Sequence, residues 1–279
     1  MSEMKEKVVD CVRQIRQRTE FVPKVALILG SGLGELAEKI QTEAVVEYKD
    51  IQGFPVSTVS GHRGRFVFGY MQGIPVVIMQ GRVHYYEGYA MSDVVLPVRV
   101  MKLLGAEILF LTCAVGGLKR TFRPGDLMLL TDQVSSFVPS PLIGENIEEW
   151  GPRFPSMDTI YDGTLCQRIR DKAKQCGIDL KEGVYVQTTG PNYESPAEVR
   201  LYEMLGGDVV GMSTAVEAVT ACHMGMRVCG ISCITNLAGG TSEEPLSHEE
   251  VSAAADKAAP LFQKLVMESI ADMGKWGIV

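Results

Sequence analysis

The stretch that most restricts the fold is Val25-Ala26-Leu27-Ile28-Leu29-Gly30-Ser31-Gly32-Leu33-Gly34, an apolar run that ends in alternating glycines. Five apolar residues bounded by glycine suit a strand covered on both faces, as in a parallel sheet. Glycines at 30, 32 and 34 let the chain turn and bring N–H groups close to an anion, and Ser31 adds a hydroxyl. The spacing matches neither common phosphate-loop pattern: Gly34 comes one residue too early for G-x-G-x-x-G, and no Gly-Lys-Ser/Thr follows. Alone, the loop serves equally well as a tight strand-to-helix turn. Its meaning depends on which residues converge on it.

The rest of the chain alternates helices and strands. Residues 4–18 have the spacing of an amphipathic helix, and a helix is expected over 33–40. Residues 65–70 and 75–79 flank Gln72-Gly73 as a hairpin. A helix follows from Ser92, and 107–112 reads as a second buried strand running into Cys113-Ala114-Val115-Gly116-Gly117. After a strand at 126–131 come helix 163–176, strand 183–188, helix 196–205, strand 208–212, helix 215–224, strand 227–235 and a helix from 248. This alternation predicts an α/β fold, and the hairpin makes its sheet mixed. With no repeat or linker, residues 1–279 are expected to form one domain. Residues 134–159, rich in proline and glycine, form the longest irregular segment, suited to a lid or an interface. Ser195-Pro196-Ala197-Glu198 and Ser247-His248-Glu249-Glu250 are capping boxes. They put Glu194 just before one helix and His248 in the first turn of another.

Several classes are disfavoured. A net charge of -7, from 34 acids against 27 bases, argues against a nucleic-acid surface. No apolar run approaches a membrane span, and the charged N-terminus has no apolar signal segment, so a cytoplasmic location is expected. Seven cysteines without C-x-x-C spacing read as reduced core thiols. No spacing suits a metal site, and Gly30-Ser31-Gly32 is not G-x-S-x-G. His223 reads as a helix-end or core histidine. Ser31, His62, Arg82, His84 and the amides around Ala114 remain, donors at or near strand ends that suit a phosphate or sulfate.

The chain resembles the low-molecular-mass, trimeric purine nucleoside phosphorylases. The motifs that carry the likeness are Gly30-Ser31-Gly32-Leu33-Gly34, Gly61-His62, Gly81-Arg82-Val83-His84-Tyr85-Tyr86-Glu87-Gly88, Val210-Gly211-Met212-Ser213-Thr214 and Ile234-Thr235-Asn236, in order over nearly the whole length. The resemblance implies a single-domain, three-layer fold with a central, partly barrel-like mixed sheet flanked by helices. It implies reversible phosphorolysis of purine ribo- and deoxyribonucleosides, with no cofactor beyond inorganic phosphate as co-substrate. Phosphate would be held by Ser31, His62, Arg82, His84, the Ala114 amide and Ser213. Ribose would pack on Tyr86 over Met212, with His248 at its 5′-hydroxyl. The base would meet Glu194, Asn236 and a stacking Tyr193, so that His84, Asn236 and Glu194 carry the chemistry. Phe154 matches the aromatic that family members lend to a neighbouring subunit, which implies a homotrimer.

Two positions depart from the family pattern. Cys113 stands where an asparagine is usual, and Met212-Ser213-Thr214-Ala215-Val216-Glu217 lacks the usual proline at 216. Asn236 and His248 favour 6-oxopurine ribonucleosides over methylthioadenosine, whose phosphorylases resemble this chain but typically carry Asp and an apolar residue there. A sensor that binds nucleoside without consuming it is the rival from another class, and a nicotinamide oxidoreductase lacks the required glycine spacing.

Overall fold

The structure, a computed structural model, describes residues 3–30, 32–59, 63–239 and 248–275. Among these residues the strands are β1 (Val25–Ile28), β2 (Gln41–Glu47), β3 (Arg65–Met71), β4 (Ile74–Gln80), β5 (Ile108–Gly117), β6 (Leu127–Val134), β7 (Lys181–Gln187), β8 (Val209–Gly211) and β9 (Arg227–Leu237). They form one mixed sheet in the order β2-β3-β4-β1-β5-β8-β7-β6-β9, and β9 pairs a second time with β5. Strands β5, β8, β7, β6 and β9 thus close a ring, from which β1 to β4 extend as an open wing. The sheet is therefore partly barrel-like.

The apolar run explains the place of β1. All four of its residues are fully buried, and it runs parallel to β4 on one side and β5 on the other. The β3–β4 hairpin turns at Gln72 and Gly73 with φ of 51° and 81°, the two positive values that a type I′ turn needs.

The helices are α1 (Glu3–Arg16), α2 (Met91–Val94), α3 (Leu96–Leu103), α4 (Gly163–Gln175), α5 (Pro196–Met204), α6 (Ala215–His223) and α7 (His248–Lys275). One group packs α1 on α3 and α3 on α6, against β1, β5, β7 and β9. The other packs α4 on α7, against β3, β4, β6 and β9.

Three local expectations change. The helix over 33–40 is a short 3-10 turn, Gly34–Glu38, followed at once by the edge strand β2. The helix from Ser92 is broken into α2 and α3 at Val95, where Pro97 in the first turn of α3 has no N–H to continue a ladder. Strand β5 does not turn at its glycines but runs through Gly116 and Gly117, pairing with both β8 and β9. Ala114 therefore lies inside a strand rather than at its end.

Candidate active site

A cavity opens where β5, β8 and β9 meet the segments that follow β4 and β7. Arg82, His84, Tyr86, Ala114, Tyr193, Glu194, Met212, Ser213 and Asn236 all line it. Val115, Gly116, Val210, Gly211 and Thr235, present in the motifs but without an assigned role, and Val251 of α7 complete the wall. Ser31 and His62 lie outside the described residues. His248 begins α7, and its side chain also lies outside them. Phe154 is 89% exposed and does not line this cavity.

Arg82 is buried but fully engaged along one edge. Its Nε donates to Glu217 Oε1 at 2.9 Å and its Nη2 to Oε2 at 3.1 Å, and Nη2 also donates to the Thr112 carbonyl at 3.0 Å. Burial opposes the Arg82 charge, but the Glu217 carboxylate more than offsets it, and the pKa lies above the ordinary arginine value. The Thr112 hydroxyl accepts from the Gly30 N–H at 2.9 Å and donates to the Ile28 carbonyl at 2.8 Å, which ties the glycine loop to the same strand. Glu217 was missed as a partner, although a lone acid in the apolar helix Ala215-Val216-Glu217-Ala218-Val219 was a signal for a buried cation.

His84 is positioned by Glu87, three residues on. Glu87 Oε1 accepts from the His84 backbone N–H at 2.7 Å and lies 3.2 Å from its Nδ1. Burial and the nearby Arg82 charge depress the His84 pKa against the pull of Glu87, which favours the neutral ring. Burial raises Glu87, but hydrogen bonds from His84 and Thr58 outweigh it and bring its pKa down to about 2. The His84 ring stacks on Tyr86, with centroids 4.7 Å apart.

Ser213 sits on a strained turn. Its N–H donates to Tyr185 Oη at 3.1 Å, and its Oγ lies 3.0 Å from Thr214 Oγ1. Thr214 is fully buried with φ 77° and ψ −59°, a backbone conformation that a β-branched residue keeps only when its surroundings enforce it. Beside this turn, burial pushes the Cys113 thiol up to about 11, so the residue at the family's asparagine position is an uncharged thiol.

The remaining groups suit a heterocycle. Asn236 Oδ1 accepts from Thr235 Oγ1 at 3.0 Å, while Nδ2 donates to the Leu237 carbonyl at 3.1 Å and keeps a second N–H. Gly116 faces Asn236 across β5 and β9, and a Cβ there would stand 3.3 Å from Nδ2. Glu194 precedes α5, whose capping box is formed by Ser195 and Glu198. Burial raises the Glu194 pKa above the usual carboxylate value, which makes it a stronger hydrogen-bond acceptor when ionised. Met212 and Tyr86 converge on Gly190, where a side chain would collide with the Met212 sulfur.

One cavity thus combines a cation, a neutral imidazole and a hydroxyl with a carboxylate, a carboxamide and aromatic faces. Fold and cavity together are those of a phosphorylase: residues 24–271 match the sequence profile of the phosphorylase superfamily. Purine nucleoside phosphorylase 1 of Bacillus subtilis is 48% identical over 96% of this chain and 99% of its own length. The mouse purine nucleoside phosphorylase is 46% identical over 91% of each chain. The crystal structure of a Schistosoma purine nucleoside phosphorylase in complex with hypoxanthine aligns with a TM-score of 0.90 and 39% identity, covering 95% of this chain and 96% of that one. The chain belongs to the purine nucleoside phosphorylase family.

Proposed function

We propose that the protein catalyses reversible phosphorolysis of purine ribo- and deoxyribonucleosides, inosine and guanosine above all. The products are the free base and ribose or deoxyribose 1-phosphate, and the cellular setting is purine salvage in the cytoplasm. The observation that carries this reading is the meeting of Arg82, His84 and Ser213 with Glu194 and Asn236 around one cavity. Residues 1–279 act as one domain, consistent with the single continuous sheet.

Cleavage of the glycosidic bond builds positive charge on the sugar and negative charge on the departing purine. Phosphate, the co-substrate, supplies both the anion beside the sugar and the nucleophile, and no cofactor takes part. It would be held by Ser31, His62, Arg82, His84, the Ala114 amide and Ser213. With Nδ1–H directed at Glu87, the neutral His84 offers Nε2 as an acceptor for a phosphate O–H. Tyr86 and Met212 flank the ribose, and His248 meets its 5′-hydroxyl. The second N–H of Asn236 donates to N7 of the leaving base, a contact whose loss costs about 2.7–4 kcal/mol of barrier. Tyr193 stacks on the base. Glu194 accepts from the N1–H of a 6-oxopurine, whereas adenine has no proton there.

Phe154 has almost no cover within its own chain and is the residue lent to a neighbour in a homotrimer. Product stoichiometry tests the reaction class. Inosine with phosphate should yield hypoxanthine and ribose 1-phosphate in equal amounts; free ribose instead would make the enzyme a hydrolase.

A further inference from the structure

We propose that Gln133 and Gln187 form a clamp on a single peptide group, Ala215–Val216, and act as positioning residues for the anion side of the site. The two come from neighbouring parallel strands: Gln133 on β6 stands opposite Tyr185 on β7, two residues before Gln187. Gln133 Nε2 donates to the Ala215 carbonyl at 3.1 Å, and the Val216 N–H donates to Gln187 Oε1 at 2.9 Å. Both polar ends of one peptide plane are thereby held. The Tyr161 hydroxyl donates to Gln133 Oε1 at 2.9 Å, which turns the amide nitrogen of Gln133 toward Ala215. Neither glutamine lines the cavity.

The clamp answers a local need. Val216 is the second residue of α6, so its N–H is one of the donors that a helix start leaves without an intrahelical acceptor. Thr214, in the capping position, makes no side-chain capping bond. Val216 is 1% exposed, out of reach of bulk solvent, and Gln187, itself 1% exposed, caps the helix from across the sheet. Tyr185 projects from the same face of β7 as Gln187 and holds the Ser213 N–H. The turn from Ser213 to Val216, with Thr214 at φ 77°, is thus pinned on both sides of its strained residue. Glu217, the partner of Arg82, is the next residue along the chain. Where the resembling family carries proline at 216, no N–H exists and no acceptor is required. In this chain Gln187 does what the proline does there.

The proposal rests on phosphate binding beside Arg82 and Ser213, so the wild type is assayed first for phosphate-dependent release of hypoxanthine from inosine. Phosphate-independent release, or none, overturns the functional reading and the clamp's role with it. Given phosphate dependence, Gln187→Leu is expected to raise the phosphate KM about tenfold, because the Val216 N–H loses the Gln187 acceptor, with the inosine KM changed less than about twofold. Adding Val216→Pro to that variant removes the stranded N–H and should return the phosphate KM to within about threefold of wild type. Equal changes in both KM values, or no restoration in the double variant, would overturn the clamp. Should Gln187→Leu not fold, Gln133→Leu, at a half-exposed position, must raise the phosphate KM selectively; an unchanged phosphate KM there refutes the proposal just as firmly.

Discussion

The guanidinium of Arg82 and the carboxylate of Glu217 meet edge to edge, Nε to Oε1 at 2.9 Å and Nη2 to Oε2 at 3.1 Å, with only 3% and 2% of the two side chains exposed. A two-point contact fixes the plane of the guanidinium as well as its place, so an arriving anion meets an arginine already oriented. The carboxylate also offsets part of the charge that burial would otherwise make costly.

Removing that carboxylate strands the cation. Glu217→Ala is expected to lower unfolding free energy by about 3–5 kcal/mol, measured by urea denaturation at fixed protein concentration. A loss below about 1 kcal/mol would mean that solvent or another group neutralises Arg82.

The three glycines of the first loop should differ sharply. A Cβ on Gly30 would lie 2.7 Å from the Cys113 Cα and 2.9 Å from the Thr112 carbonyl oxygen, both backbone atoms, whereas one on Gly34 meets nothing within 4 Å. Gly32 has φ 79° and would also press on Ala255. Gly30→Ala should therefore cost about 1–3 kcal/mol, while Gly34→Ala stays within about 0.5 kcal/mol of wild type. Thermal unfolding of the pair checks this, and equal shifts would contradict the close approach of the loop to β5.

The pH dependence of base binding follows from Glu194. Burial lifts its pKa above the usual carboxylate value, and protonation removes the acceptor for the purine N1–H. Affinity for hypoxanthine should fall on acidification, and the fall should begin at a higher pH than for a solvent-exposed glutamate. Titration calorimetry from about pH 7 down to about pH 4 reads this directly. Glu194→Gln should bind more weakly and lose the acid limb; a limb that survives in that variant would have to come from another group.

Phe154 carries the prediction about assembly. A phenylalanine that is 89% exposed stabilises its own fold little, so Phe154→Ala should leave thermal stability and sedimentation unchanged while raising the nucleoside KM about tenfold. A fully active monomer in sedimentation would remove the basis for this role.

What the sequence revealed follows physical lines. Strand β1 and the β3–β4 hairpin were legible because continuous apolar residues and a Gln-Gly turn are local signals. Strand β2 was not, because an edge strand whose residues are mostly exposed has little apolar pattern to read. Gly116 and Gly117 read as the end of a strand, yet they stay extended because they pair with β8 on one side and β9 on the other, and Asn236, Ile234 and Leu237 leave no room for a side chain there. The cavity residues in the Arg82 to Tyr86 segment, and Met212, Ser213 and Asn236, came from motifs. Glu217 showed only as a lone acid in an apolar helix, with nothing to name Arg82 as its partner, and Gln133 and Gln187 act on atoms far away in sequence, a pairing that has no local signature.

Release of free base from inosine, guanosine, xanthosine, adenosine and methylthioadenosine, each with and without phosphate, tests the central claim most directly. Hypoxanthine and guanine should appear only when phosphate is present, with little adenine from either adenosine substrate. Binding of inosine with no base released from any of the five would contradict it, and would mean that the chain keeps the family's fold and cavity without the family's reaction.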